Sequence, residues 1–200
     1  MTAIDPLLID VPEAIATERL WLRCPRAGDG PVINEAVVQT LAELRPWMPW
    51  AQTAPTLEES ELHCRRAAAR YALREDLQLL IFERLPGDAP GRLLGATGLH
   101  RMDWSVPRFE IGYWRRSGQG GRGITTEAVR ALTRLAFDTL LAQRVEVRMS
   151  SENARSRAVA ERCGFTLEGV LRRDSLDVSG QPRDTAVYAR VRGVEEPAAA

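Results

Sequence analysis

The stretch from Phe109 to Ala128 reads FEIGYWRRSGQGGRGITTEA and joins a strand pattern, a glycine-rich loop and the start of an amphipathic helix. Glycines let backbone N–H groups approach a ligand closely, and the first turn of a helix offers unpaired N–H groups at the positive end of the helix dipole. This arrangement therefore predicts a binding site for a phosphate-bearing ligand.

Two other phosphate-binding motifs fit this stretch poorly. The Walker A motif requires a Gly-Lys pair, and the sequence contains no lysine. Gly118, Gly120 and Gly123 match the dinucleotide pattern G-x-G-x-x-G, but that pattern opens a domain of βα repeats and needs an acidic residue at the end of the next strand. Here the loop lies past the midpoint of the chain, and the next predicted strand, residues 144–149, runs into Ser150. The glycines alone do not identify the ligand.

The composition is that of one ordinary globular domain. The chain has 200 residues, of which 44% are hydrophobic, so it is long enough to bury a core. The 27 basic residues, all arginine, balance 27 acidic residues, and a formal net charge of zero gives no overall field that would attract nucleic acid or an anionic membrane. We expect neither as a partner, and any anion site must be local.

The cysteines and histidines indicate a cellular compartment and exclude one class of site. Cys24, Cys64 and Cys163 are odd in number and widely spaced, which predicts reduced thiols in a cytoplasmic protein. His63 and His100 are too few and too isolated for a metal cluster, so no metal is expected. Charges and prolines interrupt the first sixteen residues, where a signal peptide would need an apolar run.

Apolar periodicity predicts the element order β-α-α-β-β-β-α-β-α-β-β. Antiparallel hairpins around a single βαβ crossover indicate an α+β fold. Thr56 and Glu59 suggest a capping box at the second helix. One domain is expected over residues 17–191, with loosely ordered ends at 1–16 and 192–200. Strands are predicted at 20–23, 77–85, 92–102, 108–114, 144–149, 165–173 and 184–191, and helices at 31–44, 57–74, from the glycine loop through 141, and from 153 to 162.

Three blocks in this order resemble the GNAT N-acetyltransferase superfamily, most closely its RimJ/RimL branch. They are EIGYW at 110–114, GRGITTEA at 121–128 and NARSRAVAERCGF at 153–165, and the resemblance extends over roughly residues 17–191. It implies the GNAT fold, a mixed, mostly antiparallel sheet of six to seven strands flanked by helices and splayed at an acetyl-CoA site. It also implies acetyl-CoA as co-substrate, and family members are often dimers.

The resemblance assigns the coenzyme-binding residues. Backbone amides of the loop and helix start hold the pyrophosphate, the strand before the loop pairs with the pantetheine arm, and the start of the last helix faces the thioester. The family pattern Q/R-x-x-G-x-G/A falls on residues 120–125, and this chain departs from it at the first and last positions. The residues implied are Ile111, Gly112, Tyr113, Gly120, Gly121, Arg122, Gly123, Ile124, Thr125, Thr126, Asn153 and Ser156.

Direct acetyl transfer needs a neutral amine, a donor for the oxyanion and an acceptor for the amine proton. Many GNAT enzymes carry a tyrosine acid at the position of Ala160, so the usual acid is missing here. By analogy with the RimJ/RimL branch, Ser156 replaces it as the hydrogen-bond donor to the leaving thiolate. Backbone N–H groups near Gly112 and Tyr113 would polarise the carbonyl.

Glu110 is the candidate acceptor of the amine proton. Its alternative role is an exposed strand carboxylate that pairs with Arg108 or Arg148 across the sheet. An α-amine with a pKa near 8 is about one-tenth neutral at pH 7, whereas a lysine amine near 10.4 is neutral in less than about one part in a thousand. A site with no histidine near its motifs and a single strand carboxylate therefore favours α-amine acceptors.

Trp47 and Trp50 lie in RPWMPW, a proline-stiffened segment at 45–50. They form either core packing or a wall of the acceptor pocket, and the segment resembles one in RimL-type enzymes. The function expected is acetylation of a protein or peptide N-terminus. The alternatives are acetylation of a small amine, such as a polyamine, antibiotic or amino-acid derivative, and acyl-CoA binding without turnover.

Overall fold

In the part of the chain that the structure describes, eight strands form one sheet in the order β1-β2-β3-β4-β5-β6-β8-β7, and all neighbours are antiparallel except β5 and β6. The structure, a computed structural model, describes residues 5–87 and 89–197. The α+β fold and its mostly antiparallel sheet are confirmed. The strands are β1 Ala14–Ala16, β2 Leu20–Arg23, β3 Leu77–Leu85, β4 Ala89–Asp103, β5 Arg108–Arg115, β6 Arg144–Ser150, β7 Thr166–Leu176 and β8 Pro182–Val191.

Four helices flank the sheet: α1 Gly30–Leu44, α2 Leu57–Ala72, α3 Ile124–Arg134 and α4 Ala154–Arg162. The capping box at the start of α2 is confirmed, because Thr56 and Glu59 each bond the other's backbone N–H. Helix α3 continues as a π-helical turn, Leu135–Thr139, and ends at Leu140. Leu141, expected on the apolar face of this helix, is instead exposed at φ +54° because the helix stops before it.

Residues 14–16, which the sequence assigned to a loose terminus, lie in β1 and raise the strand count to eight. Three residues are too few to show an alternating pattern, so the sequence gave no signal for this strand. Val11 is buried, and Tyr71 Oη donates to the Pro12 carbonyl at 2.6 Å. Residues 1–4 and 198–200, the outer parts of the predicted ends, lie outside the described residues, as does Asp88 in the predicted β3–β4 turn.

The helices cover the two faces of the sheet unequally. Helices α3 and α4 pack against one face, whose core includes Phe109, Ile111, Val129 and Leu132. Helices α1 and α2 pack against the other face over β3 and β4. Because successive side chains of a strand point to opposite faces, β5 presents its odd-numbered side chains toward α3 and its even-numbered ones, including Glu110, to the opposite face.

The parallel pairing of β5 with β6 is short. Arg108, Phe109 and Glu110 pair with Arg144, Val145 and Glu146, and no further pair follows. Both strands continue beyond this point, β5 to Arg115 and β6 to Ser150, so a gap opens between them. The splay expected from the sequence is confirmed.

Candidate active site

A cleft of about 2250 Å³ lies over the gap between β5 and β6. Its walls are the end of β5, the glycine loop, the start of α3, the end of β6 and the start of α4. Trp47 and the β7–β8 hairpin close its opposite side. The sequence blocks that identified the candidate site therefore meet in one cleft.

The glycine loop ends at a helix start that lacks a side-chain cap. Gly118, Gly121 and Gly123 have φ of +76°, +73° and +72°, a conformation that strains other residues. Gly123 is the N-cap of α3, and no side chain bonds the N–H groups of its first turn. These N–H groups are available to an anion at the positive end of the helix dipole.

The start of the loop is anchored to α1. Arg116 is 2% exposed, donates from Nε to Gln39 Oε1 at 2.6 Å and also bonds Glu35. The backbone N–H of Ser117 donates to Thr40 Oγ1 at 3.1 Å. A buried, paired arginine at this position fixes where the loop leaves β5.

The end of the loop is anchored through Glu127, which the sequence suggested only as a first-turn carboxylate favoured by the dipole. Glu127 Oε1 accepts from Thr17 Oγ1 at 2.6 Å and from the Arg19 backbone N–H at 3.0 Å, and Oε2 accepts from Arg19 Nε at 2.7 Å. Burial opposes ionisation, but these hydrogen bonds outweigh it and lower the pKa of Glu127. The segment before β2 thus holds the first turn of α3 in place.

The structure brings most of the predicted coenzyme residues to the cleft and leaves one out. Ile111–Tyr113, Gly120, Gly121 and 123–126 line it, together with Asn153 and Ser156. Arg122 does not line it, because its guanidinium turns back to donate to Gln119 Oε1 at 2.7 Å. Asn153 Oδ1 caps α4 by accepting from the Ser156 backbone N–H at 3.1 Å.

Tyr113, rather than Gly112, directs its backbone N–H into the gap. Arg116 N donates to the Leu94 carbonyl across the β4–β5 pair, and hydrogen-bonded pairs alternate along an antiparallel ladder. Gly112 therefore faces β4, and its carbonyl also accepts from Thr97 Oγ1 at 2.9 Å. Of the two expected oxyanion donors, only the Tyr113 amide faces the gap.

The Tyr113 side chain supplies a hydroxyl that sequence reasoning missed. Its Oη lies 2.8 Å from Ser156 Oγ and 3.2 Å from the Ser156 carbonyl. Burial raises the pKa of Tyr113 to about 12, so the phenol stays protonated at neutral pH. Ala160, at the usual position of the family's tyrosine, is fully buried. A tyrosine–serine hydroxyl pair therefore joins the end of β5 to the first turn of α4 at the cleft.

Glu110 does not pair with either arginine expected from the sequence. Arg108 bonds Asp103 and Arg148 bonds Asp174, whereas Glu110 Oε2 lies 3.4 Å from Arg101 Nη1. Oε2 is buried and has no hydrogen-bond partner among the described residues. Burial raises the pKa of Glu110 above its usual range, although Arg101 opposes the change. A carboxylate with this environment is a suitable proton acceptor.

A histidine lies beside this carboxylate, contrary to the expectation from the sequence. His100 is the cross-strand partner of Glu110, and its Nδ1 is 2.7 Å from Asp76 Oδ2. The imidazole lies over Gly98 and Gly112, where added Cβ atoms would come within 2.8 and 2.9 Å of ring carbons. The strand register that joins His100 to Glu110 was not visible in the spacing of the motifs.

The two tryptophans of the α1–α2 segment have different surroundings. Trp47 lines the cleft and is 40% exposed. Trp50 lies outside the cleft lining and packs edge to face on Trp114, with 6.4 Å between ring centroids. Only Trp47 is placed to contact an acceptor directly, while Trp50 supports Trp114 in the cleft wall.

Within residues 5–87 and 89–197, no group of three or more His, Cys, Asp or Glu side chains is arranged to hold a metal ion. No helix in the same part of the chain is both long and apolar enough to cross a membrane.

Comparison with known proteins places this cleft in context. Residues 19–166 match the acetyltransferase (GNAT) domain. Over 179 residues the chain is 31% identical to the putative ribosomal N-acetyltransferase YdaF of Bacillus subtilis (strain 168), covering 88% of this chain and 92% of YdaF.

Two solved structures share the fold. One is the microcin C7 self-immunity acetyltransferase MccE in complex with acetyl-CoA and AMP, with a TM-score of 0.82. The other is RimL, the ribosomal L7/L12 alpha-N-protein acetyltransferase in complex with coenzyme A, with a TM-score of 0.80. Each is 24% identical to this chain, and each comparison covers 90% of this chain and 97% of the other.

Gly123→Val should abolish acetyl-CoA binding, because a β-branched residue cannot adopt φ +72° without strain and the helix start would move. Isothermal titration calorimetry measures the loss. Gly193→Val is the matched control, since Gly193 has φ +81°, has open space around it and lies outside the cleft lining. Circular dichroism should show both variants folded, and unchanged affinity in Gly123→Val would remove the loop from the binding site.

Ser156→Ala should lower kcat by at least about tenfold with little effect on the Kd for acetyl-CoA, if its hydroxyl bonds the leaving sulfur. Tyr113→Phe should lower kcat in the same direction because it removes the partner of Ser156 Oγ. Ser105→Ala, in the β4–β5 turn outside the cleft lining, is the control. Full activity of Ser156→Ala would show that the Ser156 hydroxyl has no part in acetyl transfer and that the residue serves only in the first turn of α4.

Proposed function

The chain belongs to the GNAT acetyltransferase family, and from this premise we propose that it acetylates the α-amine of a protein or peptide N-terminus. It is an N-acetyltransferase and uses acetyl-CoA as the acetyl donor. The ribosomal names of YdaF and RimL support a ribosomal protein as acceptor. The observation that carries the proposal is the position of Glu110 on the open face of the gap, away from the Tyr113–Ser156 pair on the other face.

The cleft fits the coenzyme in two respects. The uncapped first turn of α3 and the backbone of residues 120–121 and 123–126 would hold its pyrophosphate, since N–H groups at a helix start bind anions. The edge of β5 beyond Glu110 has no strand neighbour on the β6 side, so the backbone of Tyr113 would pair with the amides of the pantetheine arm. When bound, the coenzyme supplies the activated acetyl group.

The residues around the gap would have different roles in acetyl transfer. The Tyr113 N–H would polarise the acetyl carbonyl as negative charge develops on its oxygen. Glu110 would accept the proton of the attacking amine, directly or through water, and burial makes it a stronger base than an exposed carboxylate. Ser156 would donate a hydrogen bond to the leaving sulfur, with the Tyr113 hydroxyl holding Ser156 in position. No covalent bond to the protein is required.

The acceptor class follows from the strength of this base. Glu110 remains a carboxylate, so it does not deprotonate a lysine amine efficiently, whereas an α-amine is partly neutral already. His100 lies opposite Glu110 on the neighbouring strand β4, and its Nδ1 is paired with Asp76. An α-amine acceptor is therefore still favoured after His100 is added to the site.

The alternative of acyl-CoA binding without turnover rested on the missing tyrosine at position 160. The Tyr113–Ser156 hydroxyl pair at the cleft supports turnover, because it would take over the role of that tyrosine. Reduced thiols also support a cytoplasmic location, since Cys24, Cys64 and Cys163 are all free. A homodimer is part of the same proposal, by analogy with the family.

Thiol release from acetyl-CoA tests the function. The acceptors are peptides that begin with Ser or Ala, the same peptides with blocked N-termini, and small polyamines. Release only with free peptide termini is expected. Release only with polyamines would show that the enzyme acetylates small amines. No thiol release with any acceptor would favour a protein that binds the coenzyme without turnover.

The pH dependence tests Glu110. Because burial raises its pKa, kcat/KM should lose activity as pH falls through a value above the ordinary carboxylate range near 4.3, where Glu110 takes up a proton and ceases to be a base. The acceptor amine causes a separate loss of activity below about pH 8, because its protonated form cannot attack the acetyl group. Glu110→Gln should lower kcat/KM and remove the acidic limb. An unchanged profile in Glu110→Gln would assign the proton to another acceptor.

A further inference from the structure

We infer that Arg183 forms an anion-binding subsite, so that the preferred acceptor carries a carboxylate about six to eight residues after the acetylated amine. The inference rests on the proposed function and extends it to the chemistry of the acceptor. Arg183 is the second residue of β8, next to the turn of the β7–β8 hairpin, and lines the cleft.

The guanidinium of Arg183 has unused hydrogen-bonding capacity. Its Nε donates to the Leu176 carbonyl at 3.4 Å, but its Nη1 is buried and bonds no other described residue. Within the described part of the chain no carboxylate lies within 4.0 Å of it, whereas Arg148 on β6 has Asp174 at 3.0 Å. A buried N–H without a partner is costly, and a carboxylate ligand would satisfy it.

Two buried charged atoms that make no hydrogen bond face the same cleft and have opposite signs. The described residues contain five buried side-chain nitrogen or oxygen atoms without a hydrogen-bond partner, and only Glu110 Oε2 and Arg183 Nη1 belong to cleft-lining residues. Glu110 complements a protonated amine and Arg183 complements an anion. The cleft is therefore complementary to an acceptor that carries both charges.

Strand register places both side chains on one face of the sheet. Glu110 is paired with Glu146, and Arg148, two residues further along β6, is paired with Val187 of β8. Arg183 lies four residues beyond Val187 along β8, so it shares this face with Glu110. It is six residues further along the sheet than Glu110 and two strands away, roughly 20 Å along the strands and roughly 10 Å across them, or about 22 Å in all. This face is opposite to the one that carries Tyr113 and α3.

That separation sets the position of the carboxylate. An extended peptide rises by roughly the same 3.3 Å per residue, so a terminal amine at Glu110 would bring a side chain near position seven to Arg183. Leu176 and Val178, which are 62% and 37% exposed, flank Arg183 in the cleft and offer apolar contact to the intervening residues. The guanidinium of Arg183 would bind an acidic side chain at this position of the acceptor through its opposite charge.

Calorimetry on the protein saturated with coenzyme A tests the subsite without requiring turnover. Two ten-residue peptides with amidated C-termini begin with Ser and differ only in Glu or Gln at the seventh position, with alanine elsewhere. The wild-type protein should bind the Glu peptide about tenfold more tightly, because a charge-assisted hydrogen bond is stronger than a neutral one. Arg183→Gln should bind both peptides equally.

Arg172→Gln is the matched control. Arg172 lies on the neighbouring strand β7, is exposed and is outside the cleft lining, so its loss removes the same charge without touching the subsite. Equal binding of the two peptides by the wild-type protein would overturn the inference, as would a preference that survives in Arg183→Gln or binding of neither peptide. A loss of affinity for coenzyme A itself in Arg183→Gln would assign Arg183 to a coenzyme phosphate instead.

Thiol release with the same two peptides and acetyl-CoA separates this inference from the proposed function. Transfer to both peptides at equal rates, with equal binding, would leave N-terminal acetylation standing and remove the subsite. A binding preference for the Glu peptide that Arg183→Gln abolishes, without any acetyl transfer, would support the subsite and contradict the function.

Discussion

The parallel pairing of β5 and β6 ends after the Glu110–Glu146 pair, and the whole site depends on this limit. Each strand is held by its outer neighbour instead. Strand β6 stays paired with β8 along its full length, from Arg144 to Ser150, and β5 stays paired with β4. Arg116 then fastens the end of β5 to α1. The sheet can therefore remain open at its centre without losing the ladders that stabilise it, and the exposed strand edges become a binding surface for amide groups.

The open gap also separates two chemical environments. The face toward α3 and α4 carries the Tyr113–Ser156 hydroxyl pair, where a leaving group would gain a hydrogen bond. The opposite face carries Glu110, His100 and the arginine of the β8 terminus. Because side chains alternate along a strand, Glu110 and Tyr113 of β5 lie on opposite faces of the sheet. The carboxylate and the hydroxyl pair are thereby kept apart although they flank the same gap.

Much of this arrangement could be predicted from the sequence, and the failures have identifiable causes. The order of the elements from β2 onward and the glycine loop follow from local patterns that act over a few residues, whereas the splay of the sheet follows from the family resemblance. The contacts that were missed depend on strand register or on long-range packing. His100 lies beside Glu110 only because β4 and β5 pair in one particular register. Glu127 meets Thr17 across 110 positions of the chain.

Local conformation caused the remaining differences. The π-helical turn after α3 ends the helix one residue before Leu141, which no apolar periodicity indicates. Arg122 lies within the glycine loop, yet its side chain bonds Gln119 rather than facing the cleft. Position in the motif thus predicted which segment lines the cleft, but not the direction of this side chain.

A crystal structure of the protein with coenzyme A is the most direct test of the open gap as the binding site. The pantetheine arm should lie between β5 and β6, with an amide or carbonyl within about 3.2 Å of the Tyr113 backbone and the sulfur next to Ser156 Oγ. A coenzyme bound outside the gap, with β5 and β6 closed together beyond Glu110, would contradict it.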